Sequence, residues 1–238
     1  MRVGRAKSLL LPALCVIGVL LFTALGVWQV ERLAWKRDLI ARVDRRIHAP
    51  PVPVPAPGQW LVLDPKAVEY RHVTAAGNFR HDQETLVDAL TERGAGYWVL
   101  TPLVNNAGTI LINRGFVPSD HADRRTRAAG NIEGPVTIAG LVRLSEPRGR
   151  ILRRNDPAEN HWYSRDVVAI AKARGLGAVA PFFVDADNAP NPSGFPIGGL
   201  TIVAFRNAHL VYALTWFALA AVSLGGLVII RKSAQETN

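Results

Sequence analysis

Two long uncharged segments lie near the two ends of the chain. Residues 8–30 carry no charge over 23 positions, and residues 210–230 carry none over 21. A bilayer core about 30 Å thick is crossed by roughly 20 residues of α-helix. Each segment is long enough to cross it, and the pattern predicts two transmembrane helices.

A helical pattern continues beyond the first apolar segment. Apolar residues recur with helical spacing between Val30 and Ile47, and charged residues fill the positions between them. This predicts an amphipathic juxtamembrane helix. It is followed at residues 50–57 by PPVPVPAP, whose five prolines remove backbone donors and predict an extended spacer.

The middle of the chain shows a period closer to two. Apolar–polar alternation predicts strands at 69–80, 84–90, 97–104, 109–117, 136–144, 182–185 and 200–205. Two helices are expected among them, at 119–129 and 164–174. Short strands with few helices are typical of an α+β domain with an antiparallel sheet. The predicted fold is therefore two transmembrane helices flanking an antiparallel β-rich extracytoplasmic domain with a few short helices.

These patterns divide the chain into seven parts. The predicted order is a tail (1–7), transmembrane helix 1 (8–29), the juxtamembrane helix (30–49), the Pro-rich spacer (50–58), the α+β domain (59–207), transmembrane helix 2 (208–230) and a second tail (231–238).

The first apolar segment also has features of a signal peptide. Arg2, Arg5 and Lys7 form a basic region before it, as in secretory leaders. Its apolar run exceeds the usual 7–15 residues, and no A-x-A cleavage site follows. We therefore expect an uncleaved anchor.

Charge alone leaves the membrane orientation open. Three basic residues precede the first segment and six follow it by residue 46, which favours a cytoplasmic middle domain. That rule weakens for long translocated domains, and Arg231 and Lys232 after the second segment favour a cytoplasmic C-terminus. Both orientations remain possible at this point.

Composition excludes several classes of protein. Cys15 is the only cysteine and Met1 the only methionine, so disulfide scaffolds, CxxC redox pairs, cysteine zinc sites and Met-rich copper carriers are excluded. The net charge is +9, but the sequence contains no nucleic-acid-binding motif. The basic residues are most concentrated just after the first apolar segment, where such residues commonly contact lipid head groups.

Catalytic signatures are absent from the sequence, and we predict no enzyme.

The entry to the second apolar segment carries the only candidate chemistry. On a helix, His209 and Trp216 lie about 20° apart around the axis and roughly 10 Å along it, with Tyr212 and Ala213 between them. A neutral imidazole here could ligate a haem iron. Histidine, tyrosine and tryptophan also serve as interfacial anchors, so both interpretations stay open.

Four blocks resemble the Surfeit locus 1 family of cytochrome c oxidase assembly proteins. They are LGVWQVERLAWKRDLI (25–40), YWVLTPLVNNAGTILINRGFVP (97–118), GLVRLSE (140–146) and NAHLVYALTWFALA (207–220), and they occur in the family's order with both apolar segments in place.

The resemblance implies an accessory factor for biogenesis of haem–copper oxidase. It implies a multi-pass protein of the bacterial inner membrane, with both termini cytoplasmic and the large domain periplasmic. The implied partners are oxidase subunit I, haem a synthase and membrane lipid, and no nucleic acid. Whether the client oxidase uses cytochrome c or quinol stays open.

The resemblance also implies a transiently bound cofactor, haem a. The family's histidine then falls on His209, the iron ligand, and its tryptophan falls on Trp216, which lines the haem; helical spacing adds Tyr212 to the haem-lining residues. We add the hypothesis that Arg32 and Lys36 pair with the haem propionates. The alternative is a cofactor-free scaffold that holds subunit I through residues 113–118 and the two spans.

Overall fold

A computed structural model describes residues 2–150, 152–201, 203, 205 and 207–236. The chain divides into two compact units. Met1–Arg42 and Ala204–Asn238 form the first, here called the helical unit. Val43–Val203 form the second, here called the barrel unit.

Two helices are long and apolar enough to cross a membrane. Helix α1 covers Arg2–Ile47 and helix α4 covers His209–Glu236. Between them in the chain, Pro65–Val68 form the short helix α2 and Val167–Ala173 the short helix α3. Only 6% of the most apolar stretch of each is buried within the protein, so their apolar side chains face outward, as lipid-facing side chains do. Helix α1 is a single element that includes both the apolar segment and the predicted juxtamembrane helix.

Small residues bring α1 and α4 together within the helical unit. A Cβ atom added to Gly18 would lie 2.8 Å from Ser223 Oγ, and the ring of Phe217 fills the space beside Gly26. Ala213 and Ala220 are buried on α4. Close approach at glycine and alanine is how membrane helices associate, because lipid provides no hydrophobic drive between them.

The barrel unit is built on a seven-stranded sheet that closes on itself. Its strands are β1 (Val52–Pro53), β2 (His72–Phe79), β3 (Thr85–Thr91), β4 (Gly94–Asn105), β5 (Gly108–Pro118), β6 (Pro135–Leu144) and β7 (Val179–Ala186). Their order is β1-β2-β6-β7-β5-β4-β3, and an additional β2–β4 pairing closes a five-stranded barrel.

The predicted α+β class with flanking helices is confirmed, and the sheet adds two features. Five of its pairings are antiparallel, whereas β1–β2 and β5–β7 are parallel. The hairpin β4–β5 turns at residues 105–108, where Asn105 Oδ1 accepts from the backbone N–H groups of Ala107 and Gly108. Parallel pairing is possible here because residues 54–71 separate β1 from β2 and residues 119–178 separate β5 from β7, whereas a hairpin turn joins only antiparallel strands.

The helix predicted at 119–129 is wrong. Two short 3₁₀ segments, Ser119–His121 and Arg124–Gly130, take its place. Asp123 lies between them in an extended conformation, and its carboxylate accepts a hydrogen bond from the backbone N–H of Arg125. A side-chain cap in the middle of the segment restarts the helix and prevents one continuous element.

Two other predictions change at their ends. The helix predicted at 164–174 is α3, Val167–Ala173, which begins after Asp166 because that carboxylate accepts from the N–H of Ala169 at 3.1 Å. The strand predicted at 200–205 is absent from its described residues, 200, 201, 203 and 205. The spacer is not wholly free of structure, since β1 lies within it.

Two apolar clusters occupy the two faces of the barrel wall. Val73, Val142, Phe182 and Val184 belong to the cluster that fills the interior. Residues that alternate with them face outward, and Leu111 and Phe183 are covered there by α3 and Trp162. The strands that carry Asn113, Arg143 and Asp185 thus have one face in the core and the other covered only in part.

Candidate functional site

His209 is the first residue of α4 and is held by a partner on α1. Its Nδ1 lies 2.7 Å from Oε1 of Gln29, which is buried. A carbonyl oxygen can only accept, so Nδ1 carries the proton and donates. This fixes the tautomer of the neutral ring and leaves the lone pair on Nε2.

The other ring nitrogen of His209 is uncommitted. Within the described part of the chain, Nε2 forms no hydrogen bond. Metal-ligating histidines have this arrangement, in which one nitrogen donates to an oxygen and the other binds the metal. The side chain is half-buried, so the ring is oriented without being enclosed.

Trp216 lies on the same face as His209 but contacts protein. Its ring stacks on Phe22 of α1, with centroids 5.7 Å apart and planes inclined by 19°. Ala213 and Ala220, which continue the stripe, are buried. In this structure the stripe that was expected to receive a porphyrin packs against α1.

Tyr212 is separated from these residues. Tyr212 follows His209 by three residues, which places it about 60° around the helix axis from His209, on the side opposite to Ala213. Tyr212 is 54% exposed, so it points away from α1, whereas His209 and Trp216 face it. The structure brings together two of the three predicted haem-lining residues.

The two predicted propionate partners differ in setting. The Arg32 guanidinium lies 4.4 Å from the ring of Trp35, and Arg32 is exposed. Lys36 is half-buried, with Nζ 5.1 Å from the ring of Phe205. Lys36 follows Gln29 by seven residues, which places it on the same face of α1 about 10 Å farther along.

Sequence reasoning missed Gln29. It is a neutral polar residue inside an apolar run, and such residues usually hydrogen-bond across membrane helices because lipid offers no partner. That rule is the signal that could have found it. It could not have identified His209 as the partner.

In the barrel unit, Asn113 and Arg114 of the predicted scaffold segment are buried in contacts of their own. Asn113 Nδ2 donates to Asp185 Oδ1 at 2.8 Å. Arg114 donates to the Gly130 carbonyl and lies over the ring of Phe79 at 5.0 Å. Burial lowers the pKa of Arg114 to about 10, so it remains charged at neutral pH.

Gly115 explains why this segment needs a glycine. Its φ is +125°, and a Cβ atom there would overlap the backbone carbonyl of Ile197. Residues 113–117 are all buried, and only Pro118 is partly exposed. The segment therefore holds the barrel together, and its side chains are not a free surface for a partner.

The acidic residues near the end of β7 are engaged in separate contacts. Asp185 accepts from Asn113, Arg165 and Thr201, and Asp187 Oδ2 lies 2.7 Å from His72 Nε2. Across the described residues there is no group of three or more His, Cys, Asp or Glu side chains that could hold a metal ion.

Comparisons with known proteins match nearly the whole chain. Residues 16–221 match the model of the SURF1 family. The chain is 41% identical over 216 residues to Surfeit locus protein 1 of Mus musculus, covering 84% of this chain and 68% of that protein. It is 41% identical over 217 residues to that of Homo sapiens, covering 84% and 70%. A SURF1-like protein of Monosiga brevicollis is 36% identical over 234 residues, covering 92% and 87%.

Proposed function

Because the chain belongs to the SURF1 family of cytochrome oxidase assembly factors, we propose that it holds haem a in the membrane on its way to oxidase subunit I. Haem a is the cargo of this proposal, and the protein's part is to bind and release it, without catalysis. The observation that carries the proposal is the uncommitted Nε2 of His209, held in place by Gln29.

His209 supplies the iron ligand in this proposal, and Gln29 supplies its orientation. An imidazole that donates through Nδ1 to an oxygen is more basic at Nε2 and is restricted in rotation. Both effects strengthen axial ligation. The chain has no cysteine or methionine beside His209 to compete for this role.

Lys36 is the better candidate for pairing with a propionate. It shares the face of α1 that carries Gln29, and the residue is half-buried, so a propionate beside it would pair where water screens the charges less. Arg32 is turned about 60° from that face and is exposed, so we give it the weaker role.

Trp216 and Tyr212 have different parts in the proposal. Trp216 stacks on Phe22 and so supports the α1–α4 packing that sets the position of His209. Tyr212 is exposed beside His209 and can contact the cargo without displacing α1. We therefore assign contact with the cargo to Tyr212 and packing to Trp216.

The location and partners follow from the same proposal. We place the protein in the bacterial inner membrane, with both termini cytoplasmic and the barrel unit periplasmic. Haem a synthase delivers the cargo and subunit I receives it. Protease added to intact spheroplasts should then cleave the barrel unit, and protection until lysis would reverse the orientation.

Absorption spectroscopy tests the proposal directly. The protein purified in detergent from cells that make haem a should show a Soret band, and His209→Ala should abolish it. His48→Ala is the matched control, because His48 is exposed and its ring is hydrogen-bonded to Asp44 of α1. An unchanged spectrum in His209→Ala would remove the ligand assignment, provided that the variant is equally folded by circular dichroism.

A second candidate function is a cofactor-free scaffold for subunit I. One observation favours it: the face of α4 with Ala213, Trp216 and Ala220 is already covered by α1, so the helix pair is complete by itself. In that case the purified protein would stay colourless even with abundant haem a and would still copurify with subunit I. Residues 113–117 are buried, so such a scaffold would contact its client elsewhere.

A further inference from the structure

A hollow of about 420 Å³ lies on the outer face of the barrel wall. Asn113, Arg143 and Asp185 line it, and they alternate along their strands with residues of the barrel interior. Trp98 and Leu200 give it apolar walls. Its volume falls in the range of sites for small organic molecules, which are mostly apolar with a few placed polar groups.

Most polar groups in the hollow are already satisfied by one another. The Asp185 carboxylate accepts from Asn113 at 2.8 Å, from Arg165 at 3.2 Å and from Thr201 at 2.8 Å. Arg165 donates to Glu146 through Nε and Nη2. The charge of Arg165 is thus balanced by Asp185 and Glu146.

Arg143 is the exception. No carboxylate in the described part of the chain lies within 4.0 Å of its nitrogens, and its Nε is buried without a hydrogen-bond partner. Because Nε is enclosed by protein, a ligand in the hollow would meet the Nη groups of this half-buried guanidinium, whose charge no nearby carboxylate of the described residues pairs with. A guanidinium only donates, so the complementary group is an acceptor and preferably an anion.

Tyr70 holds the Arg143 guanidinium in position. Its ring lies 4.8 Å from Arg143 Cζ, and its backbone has φ +61°, a region that bulky residues rarely adopt. The backbone N–H of Tyr70 donates to the Val142 carbonyl at 2.9 Å, which fixes this turn against β6. Strained backbone that orients a side chain is found most often at binding sites.

From these observations we propose that the hollow binds a small amphipathic carboxylate. Its carboxylate pairs with Arg143, whose planar fork matches that geometry. Its apolar body lies between Trp98 and Leu200. The rim of the hollow is formed by the exposed β3–β4 turn, including Glu92 and Arg93, so a small molecule can enter from solvent.

Calorimetric titration tests this site with the full chain in lipid nanodiscs. The probe is 2-naphthoate, and its uncharged analogue 2-naphthamide has nearly the same shape. Empty nanodiscs measure partition into lipid, which is subtracted. We expect saturable binding of one naphthoate per chain and at least about tenfold weaker binding of the amide, because the charge-assisted contact is lost.

Three variants locate the binding. Arg143→Gln should weaken naphthoate binding by about tenfold or more, and Arg143→Lys should keep part of the affinity. Arg154→Gln removes an exposed arginine that does not line the hollow, and its affinity should match the parent within about twofold. Thermal unfolding followed by circular dichroism shows that each variant is folded, and the Lys variant keeps the test valid if the Gln variant is not.

Several outcomes would overturn the proposal. They are the absence of saturable binding to the parent protein, equal affinity for the acid and the amide, or equal affinity of the parent and Arg143→Gln. None of these measurements requires haem a, so the result is independent of the function proposed for the helical unit.

Discussion

Gln29 and His209 are 180 positions apart in the chain, yet Oε1 of one and Nδ1 of the other are separated by 2.7 Å. The bond joins the C-terminal end of the first apolar segment to the first residue of α4. It therefore couples the orientation of a candidate metal ligand to the packing of α1 against α4. Any change that separates the two helices should also release the imidazole.

Removing the Gln29 acceptor should weaken haem a binding without abolishing it. We expect Gln29→Leu to reduce affinity by about 10- to 100-fold, because His209 loses its fixed tautomer and orientation. The measurement is Soret absorbance during titration with haem a in detergent. Thr23→Val, which removes an exposed hydroxyl from the same helix, is the control and should bind like the parent. Equal affinity of Gln29→Leu and the parent would show that the bond has no part in ligation.

Replacement of Gly115 should strongly destabilise the barrel unit. Gly115→Ala introduces a Cβ at φ +125° that overlaps Ile197, and we expect a loss of at least about 3 kcal/mol in the free energy of unfolding. Gly94→Ala is the matched control, since Gly94 also has a positive φ of +98° but nothing within 4 Å of the added atom. It should lose only about 1 kcal/mol. Urea titration in detergent measures both, and similar losses would mean that the contact with Ile197 is unimportant.

The Arg127–Glu84 pair should be far more important for stability than the exposed Arg125–Asp123 pair. The Arg127 side chain is fully buried and the Glu84 side chain is 12% exposed, so Arg127→Met leaves a largely buried carboxylate without the cation that hydrogen-bonds to it. We expect a loss of about 3–5 kcal/mol. Arg125→Met should change stability far less, because the Arg125 side chain is 90% exposed and water screens its pairing with Asp123. Adding Glu84→Gln to Arg127→Met should recover part of the loss, and no recovery would contradict the charge argument.

His72 should make the stability of the barrel unit depend on pH. Burial lowers the pKa of His72, but the hydrogen bonds to Asp187 and the Ala49 carbonyl and the charge of Asp187 outweigh it, and the pKa is raised above 6.5. The folded state then binds the proton more tightly than the unfolded state. This stabilisation is complete below about pH 6.5 and is lost as pH rises through the raised pKa.

The comparison of His72→Gln with the parent measures this effect. The variant should lose more stability at about pH 5.5 than at about pH 8, where the parent imidazole is neutral. The difference in the free energy of unfolding between parent and variant does not contain the contribution of His81. Burial lowers the pKa of His81, so its effect on the pH dependence of stability is opposite to that of His72. Asp187→Asn should lower the pKa of His72 in an NMR titration. A constant difference between parent and variant across this range would exclude the ion pair as its source.

Local patterns in the sequence predicted most elements. Six of the seven expected strands occur near their predicted positions, because alternation in a strand reports which side chains face the core. The helix predicted at 119–129 was wrong because apolar spacing carries no information about the Asp123 side chain, which caps the backbone and interrupts the helix. Helical spacing also placed His209 and Trp216 on one face, which the structure bears out in their shared contact with α1.

Residue types and short periods in the chain are enough to predict the two apolar helices, the β-rich middle and the candidate ligand. Three features could be seen only in the folded chain: Gln29 is the partner of His209, residues 113–117 are buried, and β2 pairs with β4 through Asn78 and Phe79 to close the barrel. These features are contacts between residues far apart in the chain. They depend on how helices pack and in which register strands pair, and no short stretch of sequence specifies either.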